Sequence, residues 1–114
     1  MQYALLIYTK PGTVESLTPA EREALSAEYY ALRDEPGILG GAALQPVTTA
    51  TTIRLADGLP LVTDGPFADT KEVFGGYYLY EADNLDQAIE MASRIPGLRI
   101  GATIEVRPVM GKAS

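Results

Sequence analysis

The chain has 114 residues, a length that suits one domain spanning 1–114 and buries roughly 65% of the unfolded surface without covalent staples. Its 46% apolar and 21% charged residues fit a globular protein, and a net charge of −6 with scattered basic residues argues against direct nucleic-acid binding. Cysteine and histidine are both absent, which excludes disulfides, thiolate nucleophiles, a Ser-His-Asp triad and Cys- or His-ligated metals.

No cofactor is therefore expected. Chemistry is left to Asp, Glu, Lys, Arg, Tyr, Ser and Thr, the backbone or a bound ligand. No apolar run approaches the ~20 residues of a membrane span. The opening "MQYALLIY" lacks a basic flank and a small-residue cleavage site, so it reads as a strand and not as a signal peptide. The lack of cysteine fits a reducing cytosol, and a cytoplasmic location without membrane attachment is the expectation.

In chain order, "QYALLIYT" (2–9) is a compact apolar run with aromatic ends, the pattern of a buried strand. After the turn material "KPGTVES", Thr18 is placed to cap a helix, Pro19 fits its first position and Glu21 completes a capping box. Ala24, Leu25, Tyr29 and Leu32 recur at helical spacing, and Pro36-Gly37 stops the helix. "ILGGAALQPV" is a strand interrupted by Gly40 and Gly41, which predict a bulge or a close backbone approach. "TTATTIRLADG" is β-branched, its Asp57-Gly58 is a hairpin signal, and "LPLVTD" returns. A turn leads into the strand "VFGGYYLYEA". "NLDQAIEMASRIPG" is a second helix, with Asn84 as cap, Gln87 closing the box and a stripe of Leu85, Ala88, Ile89 and Ala92. "ATIEVRPVM" alternates as the last strand.

This order predicts an α+β, ferredoxin-like βαββαβ layer with an additional hairpin near 50–63, both helices lying on one sheet face. Strands such as Tyr3–Ile7 and Phe74–Tyr80 are apolar on both sides. Each large side chain left in water forgoes roughly 1.5–3 kcal/mol. A homodimer packing sheet against sheet is the expected remedy.

The stretch "TDGPFADTKEVFGGYYLYEA" (63–82) holds the candidate site. An Asp before Gly ordinarily folds an Asx-turn onto the N–H two residues on, but for Asp64 that residue is Pro66, which has none. Its carboxylate must find another partner, water or a ligand, and Asp64 is the candidate catalytic acid or base. Gly65-Pro66 forms a stiff corner, with Phe67 expected to plug the core beneath it. Lys71 and Glu72 pair with Asp64 or with each other on a solvated turn, or in a cleft Lys71 holds Asp64 ionised or binds an anionic ligand. Gly75-Gly76 mark a close approach by a helix, a second subunit or a ligand. Tyr78 and Tyr80 share one face of their strand and Tyr77 takes the other. Tyr77, Tyr8, Arg54 and Arg107 are candidates for lining a pocket, against the simpler reading of core and interface residues.

These residues carry a resemblance. "VTDGPFADTKEVFGGYYLYEADNLDQAIEMASRIPG", the ending "TIEVRPVM", the opening "MQYALLIY", "LTPAE" and "LQP" followed by "TATTIR" resemble the YCII-related family, and within it the DGPF-domain group. The resemblance implies a ferredoxin-like domain of the dimeric α/β-barrel type. It implies a small-molecule-handling protein, either a cofactor-free enzyme using Asp64 or a ligand-binding regulatory dimer linked to alternative sigma factors. The His-Asp chemistry associated with the broader family does not transfer, because this chain has no histidine. Lys71, Glu72, Tyr77, Tyr8 and Arg54 remain the candidate ligand-binding residues around Asp64, with no metal among them.

Overall fold

The computed structural model describes residues 1–111. Six strands and two α-helices follow in the order β1 (Gln2–Thr9), α1 (Pro19–Leu32), β2 (Ile38–Ala43), β3 (Thr51–Ala56), β4 (Leu59–Asp64), β5 (Val73–Glu81), α2 (Leu85–Ala92) and β6 (Thr103–Pro108). Short 3₁₀ turns occupy Val47–Thr49 and Pro96–Ile100. Four strands form an antiparallel sheet in the order β2-β5-β1-β6, and β3 and β4 pair only with each other. With that hairpin set aside, order and connectivity are those of a ferredoxin-like α+β fold.

Local chemistry fixes the helix starts. Thr18 and Glu21 exchange the two capping-box hydrogen bonds of α1, at 3.1 and 2.8 Å. Asn84 accepts from the Gln87 N–H at 2.9 Å to start α2, and the Gln87 side chain reaches back to the Asp83 N–H at 2.6 Å. Both helices pack on one face of the sheet. Tyr3, Leu5 and Ile7 from β1 and Tyr78 and Tyr80 from β5 form the core with Leu32, Ala88, Met91, Ala92 and Ile95. Strand alternation sends Leu6, Tyr8, Tyr77 and Leu79 to the opposite face, where they are half-buried. No helix among the described residues is long and apolar enough to cross a membrane.

Two helical details depart from the periodicity reading. Ala24 is exposed, and α1 buries Leu25 and Leu32. The buried side of α2 is Ala88, Met91 and Ala92, while Leu85 and Ile89 are half-exposed. The contact face is centred on the small residues, which allow the helix to sit close to the sheet.

The glycines in the strands have structural occupants. In β2 the bulge falls at Leu39, between the pairs Ile38–Tyr80 and Gly40–Leu79. A Cβ on Gly41 would run into the Tyr77 carbonyl, and one on Gly76 would lie 2.7 Å from the Ala42 carbonyl. The close approach at Gly76 is thus made by the neighbouring strand. Gly75 is the extra residue of a β1–β5 bulge, between the pairs Ile7–Gly76 and Tyr8–Phe74. The bulge brings Phe74 beside Tyr8 and Tyr77, with ring centroids 5.7 and 6.4 Å apart.

The β3–β4 hairpin turns through Asp57 (φ 53°) and Gly58 (φ 80°), the two left-handed positions of a type I′ turn. At its base the two flanks are tied together, the Gly65 N–H donating to the Ala50 carbonyl at 2.7 Å and the Thr52 hydroxyl to the Gly65 carbonyl at 2.6 Å.

Candidate functional site

A cavity of about 830 Å³ opens where α1 lies over one end of the main sheet. Ile7 and Tyr78 line it from the sheet, Leu25 and Tyr29 from α1, and the loops around 10–15 and 43–48 close its ends. The helix builds two stripes here. Leu25 and Tyr29, four residues apart, face the sheet, while Arg22, Ser26, Tyr30 and Arg33 recur at helical spacing alongside them and also line the cavity. The Arg33 guanidinium sits over the Tyr30 ring, 4.9 Å from its centroid.

The charges are uneven. Lys10, Arg22 and Arg33 line the cavity, and Glu15 is the one carboxylate among its lining residues. A chain with a net charge of −6 therefore gathers three of its nine basic residues around one concavity. All three are exposed, so they attract anions to this mouth by a long-range field that salt screens.

Two tyrosines supply the polar groups of the interior. The Tyr78 hydroxyl donates to the Tyr29 carbonyl at 2.7 Å, and the two rings stack with centroids 6.4 Å apart. The Gly97 N–H donates to the Tyr29 hydroxyl oxygen at 3.0 Å. Burial pushes the Tyr78 phenol up to about 12; the neighbouring Tyr29 adds to this and Arg33 opposes it. Burial raises Tyr29 too, against the Gly97 N–H and Arg99. Both phenols are neutral at pH 7 and act as donors, not bases. Tyr29 already accepts from Gly97, so its own proton is available to a ligand oxygen in the cavity.

The residues singled out in the sequence fall in different places. Asp64 is the last residue of β4, exposed, opposite Thr51 in the hairpin, and without an ion pair among the described residues. It is not among the cavity-lining residues. Thr48 is, three residues along the chain from Thr51, so the backbone of Asp64 lies within roughly 15 Å of that part of the wall. Lys71 is exposed on the loop before β5. Glu72 is half-buried and accepts from the Thr103 hydroxyl at 3.0 Å, at the β6 end of the sheet. Tyr8 stands on the open sheet face against Phe74. Arg54 is on the hairpin, 5.7 Å from the centroid of the Phe67 ring. Tyr77 lines the cavity and also stacks on Phe74. Arg107 pairs with Glu105 at 2.7 Å on β6.

Phe67 does not plug the core. It is 74% exposed, and its ring finds the Arg54 guanidinium instead. Gly65 does take the left-handed conformation (φ 95°), and the corner it makes with Pro66 carries the loop outward over the hairpin base. The residues missed in the sequence are Lys10, Arg22, Arg33 and Tyr29. The available signal was the Arg22–Ser26–Tyr30–Arg33 spacing, which puts two cations beside the buried stripe of α1.

A profile of the YCII-related domain matches residues 1–111. An uncharacterized protein of Rhizobium meliloti (strain 1021) is 35% identical over 114 residues, covering 96% of this chain and 92% of that one. Among solved structures, the 5-chloro-2-hydroxyhydroquinone dehydrochlorinase TftG of Burkholderia phenoliruptrix AC1100, in complex with 2,5-dihydroxybenzoquinone, superposes with a TM-score of 0.51 at 19% identity. That alignment covers 98% of this chain and 97% of TftG, and at such identity it speaks to the fold. With its family profile matched over residues 1–111, the chain belongs to the YCII-related family.

Proposed function

We propose that the protein handles a small, planar, anionic aromatic molecule, held in the cavity beneath α1. The observation that carries this reading is the gathering of Lys10, Arg22 and Arg33 around a tyrosine-walled cavity in an acidic chain. About 830 Å³ is within the range of small-molecule sites and admits a substituted ring. In this reading Arg22 and Arg33 draw in the anion, the stacked Tyr29 and Tyr78 rings form one wall beside it and the Tyr29 hydroxyl donates to one of its oxygens. TftG, with a hydroxylated six-membered ring in its name and another in its complex, supplies a ligand of suitable shape.

Binding is tested by calorimetry with 2,5-dihydroxybenzoquinone, an anion at neutral pH, and with neutral hydroquinone as control. The anion binds at least about tenfold more tightly, and Arg33→Gln or Arg22→Gln each removes about 1–2 kcal/mol of that affinity. Equal affinity for the two rings, or no effect of either substitution, contradicts the reading.

Whether binding leads to turnover depends on an acid or base. We assign that role to Asp64, with Lys71 nearby in sequence, in a DGPF-group enzyme working without a cofactor. Glu72, Tyr8, Tyr77 and Arg54 are the further ligand-binding candidates, each from a different part of the fold. The alternative is a regulatory module linked to an alternative sigma factor that needs only the bound ligand. Asp64→Asn separates the two. An enzyme loses turnover and keeps its affinity, and a sensor loses neither.

The assembly we propose is a cytoplasmic homodimer of the dimeric α/β-barrel type, sheet against sheet. The open face carries Leu6, Tyr8, Phe74, Tyr77 and Leu79, with Phe74 39% exposed, and both helices lie on the other side. Covering it removes aromatic surface from water. A monomer in light scattering at micromolar concentration would sink this assembly and leave the cavity reading intact.

A further inference from the structure

The β3–β4 hairpin stands apart from the body. The Cα radius of gyration is 16.0 Å, whereas a compact chain of this length has about 13 Å. Among the described residues the hairpin pairs with no other strand, so both of its edges are open there. An isolated two-stranded hairpin is marginal in water, and this one is apolar.

Its cross-strand pairs sort its side chains onto two faces. Ile53 faces Val62 and Leu55 faces Pro60, and these four share one face. All four are exposed, Ile53 at 67%, Leu55 at 74% and Val62 at 60%. On the other face Arg54 is paired with Leu61, and Phe67 folds back against the Arg54 guanidinium. Phe67 meets only the Arg54 end of that face, where Leu59 and Leu61 stay 70% and 52% exposed, and the Ile53–Val62 face has no occupant among the described residues.

We propose that this arm clasps a second copy of the chain, laying its Ile53–Leu55–Pro60–Val62 face along the margin of that copy's apolar sheet face, beside the sheet-on-sheet contact. The area supports this occupant. Four such side chains offer roughly 400 Å², about half of the ~800 Å² per partner that a stable dimer buries. The open sheet face of each copy, with Leu6, Tyr8, Phe74, Tyr77 and Leu79, is apolar throughout, and the partner's sheet and the partner's arm share it. The contact is reciprocal under a two-fold axis, so each copy gives one arm and receives one. Asp64 pairs with Thr51 in register with this face, so the arm carries that carboxylate toward the partner. The inference rests on the sheet-on-sheet homodimer proposed above, and adds the arm as a separate element of it.

Sedimentation velocity tests the clasp across a dilution series. The triple variant Ile53→Thr, Leu55→Thr, Val62→Thr keeps strand-forming residues and removes the apolar face. Its dimer dissociation constant rises about 100-fold or more, while Leu61→Thr, on the opposite face, stays within about threefold of the parent chain. Hydrogen exchange at residues 51–64 of the unmodified chain, which does not depend on any variant folding, quickens on dilution below that constant. A triple variant that dimerises like the parent, with Leu79→Glu dissociating it, overturns the clasp and leaves the sheet pairing in place. Arm exchange that ignores concentration overturns the clasp as well. A parent chain that is monomeric at micromolar concentration overturns both the clasp and the pairing.

Discussion

Tyr78 donates its hydroxyl proton to the main-chain carbonyl of Tyr29, 2.7 Å away, and so ties the central strand β5 to the last turn of α1. The bond exists because the helix tightens there. The Arg33 N–H donates to Tyr30 at 3.1 Å, three residues back, which leaves the Tyr29 carbonyl needing a donor. Tyr78→Phe removes that donor and strands a carbonyl in the core. The expected loss is about 1–2 kcal/mol in urea unfolding, with an unchanged slope. A variant as stable as the parent would show that the carbonyl is satisfied by water.

Gly97 and Tyr29 meet at the same corner of the cavity. A Cβ on Gly97 would collide with the Tyr29 hydroxyl and lie 3.1 Å from the Ala102 Cβ. Gly97→Ala therefore destabilises by roughly 1–3 kcal/mol, as overpacking in a filled site does. Tyr29→Phe removes the colliding oxygen, so the same alanine costs less in that background. A double-mutant cycle is expected to give a coupling of about 0.5–1 kcal/mol or more. Strict additivity would mean that the strain at Gly97 comes from Ala102.

Much of this frame was legible in the sequence because its signals are local. Thr18 with Glu21, the Asn84 cap and Asp57-Gly58 each act within four residues and formed the cap or turn their chemistry dictates, whereas Gln87 reaches past its cap to the Asp83 N–H and leaves the second box unclosed. The cavity was not legible, since its walls come from α1, the ends of β1, β2 and β5 and two loops, segments far apart in the chain. Phe67 illustrates the same limit. An aromatic after Gly-Pro reads as core, yet the left-handed Gly65 sends the loop outward, and a cation nine residues after Gln45 on the hairpin takes the ring. For Asp64 the sequence did show that Pro66 withdraws the nearest donor. It could not show that the carboxylate ends on an exposed strand terminus.

That exposure makes a prediction of its own. Asp64 has no ion pair among the described residues, so Asp64→Asn alters stability by no more than about 0.5 kcal/mol. Thermal unfolding of the two chains is the measurement. A loss of several degrees would assign the carboxylate a structural partner, and any effect of the substitution on turnover would then no longer be a clean sign of chemistry.

Alkaline pH probes the buried phenols together. Burial raises both Tyr29 and Tyr78 above the ordinary tyrosine value, Tyr78 to about 12. The folded state thus holds protons that the unfolded chain releases near pH 10. Stability from these groups is fully present below pH 10 and declines as pH rises toward 12, because the unfolded state binds fewer protons throughout that window. The urea midpoint is expected to fall steadily from pH 10 upward. Tyr78→Phe, although less stable at neutral pH, shows a shallower fall, since one of the two raised phenols is gone. A slope identical to that of the parent chain would mean that Tyr78 ionises in the folded protein as readily as in water, and its bond to Tyr29 would not survive that result.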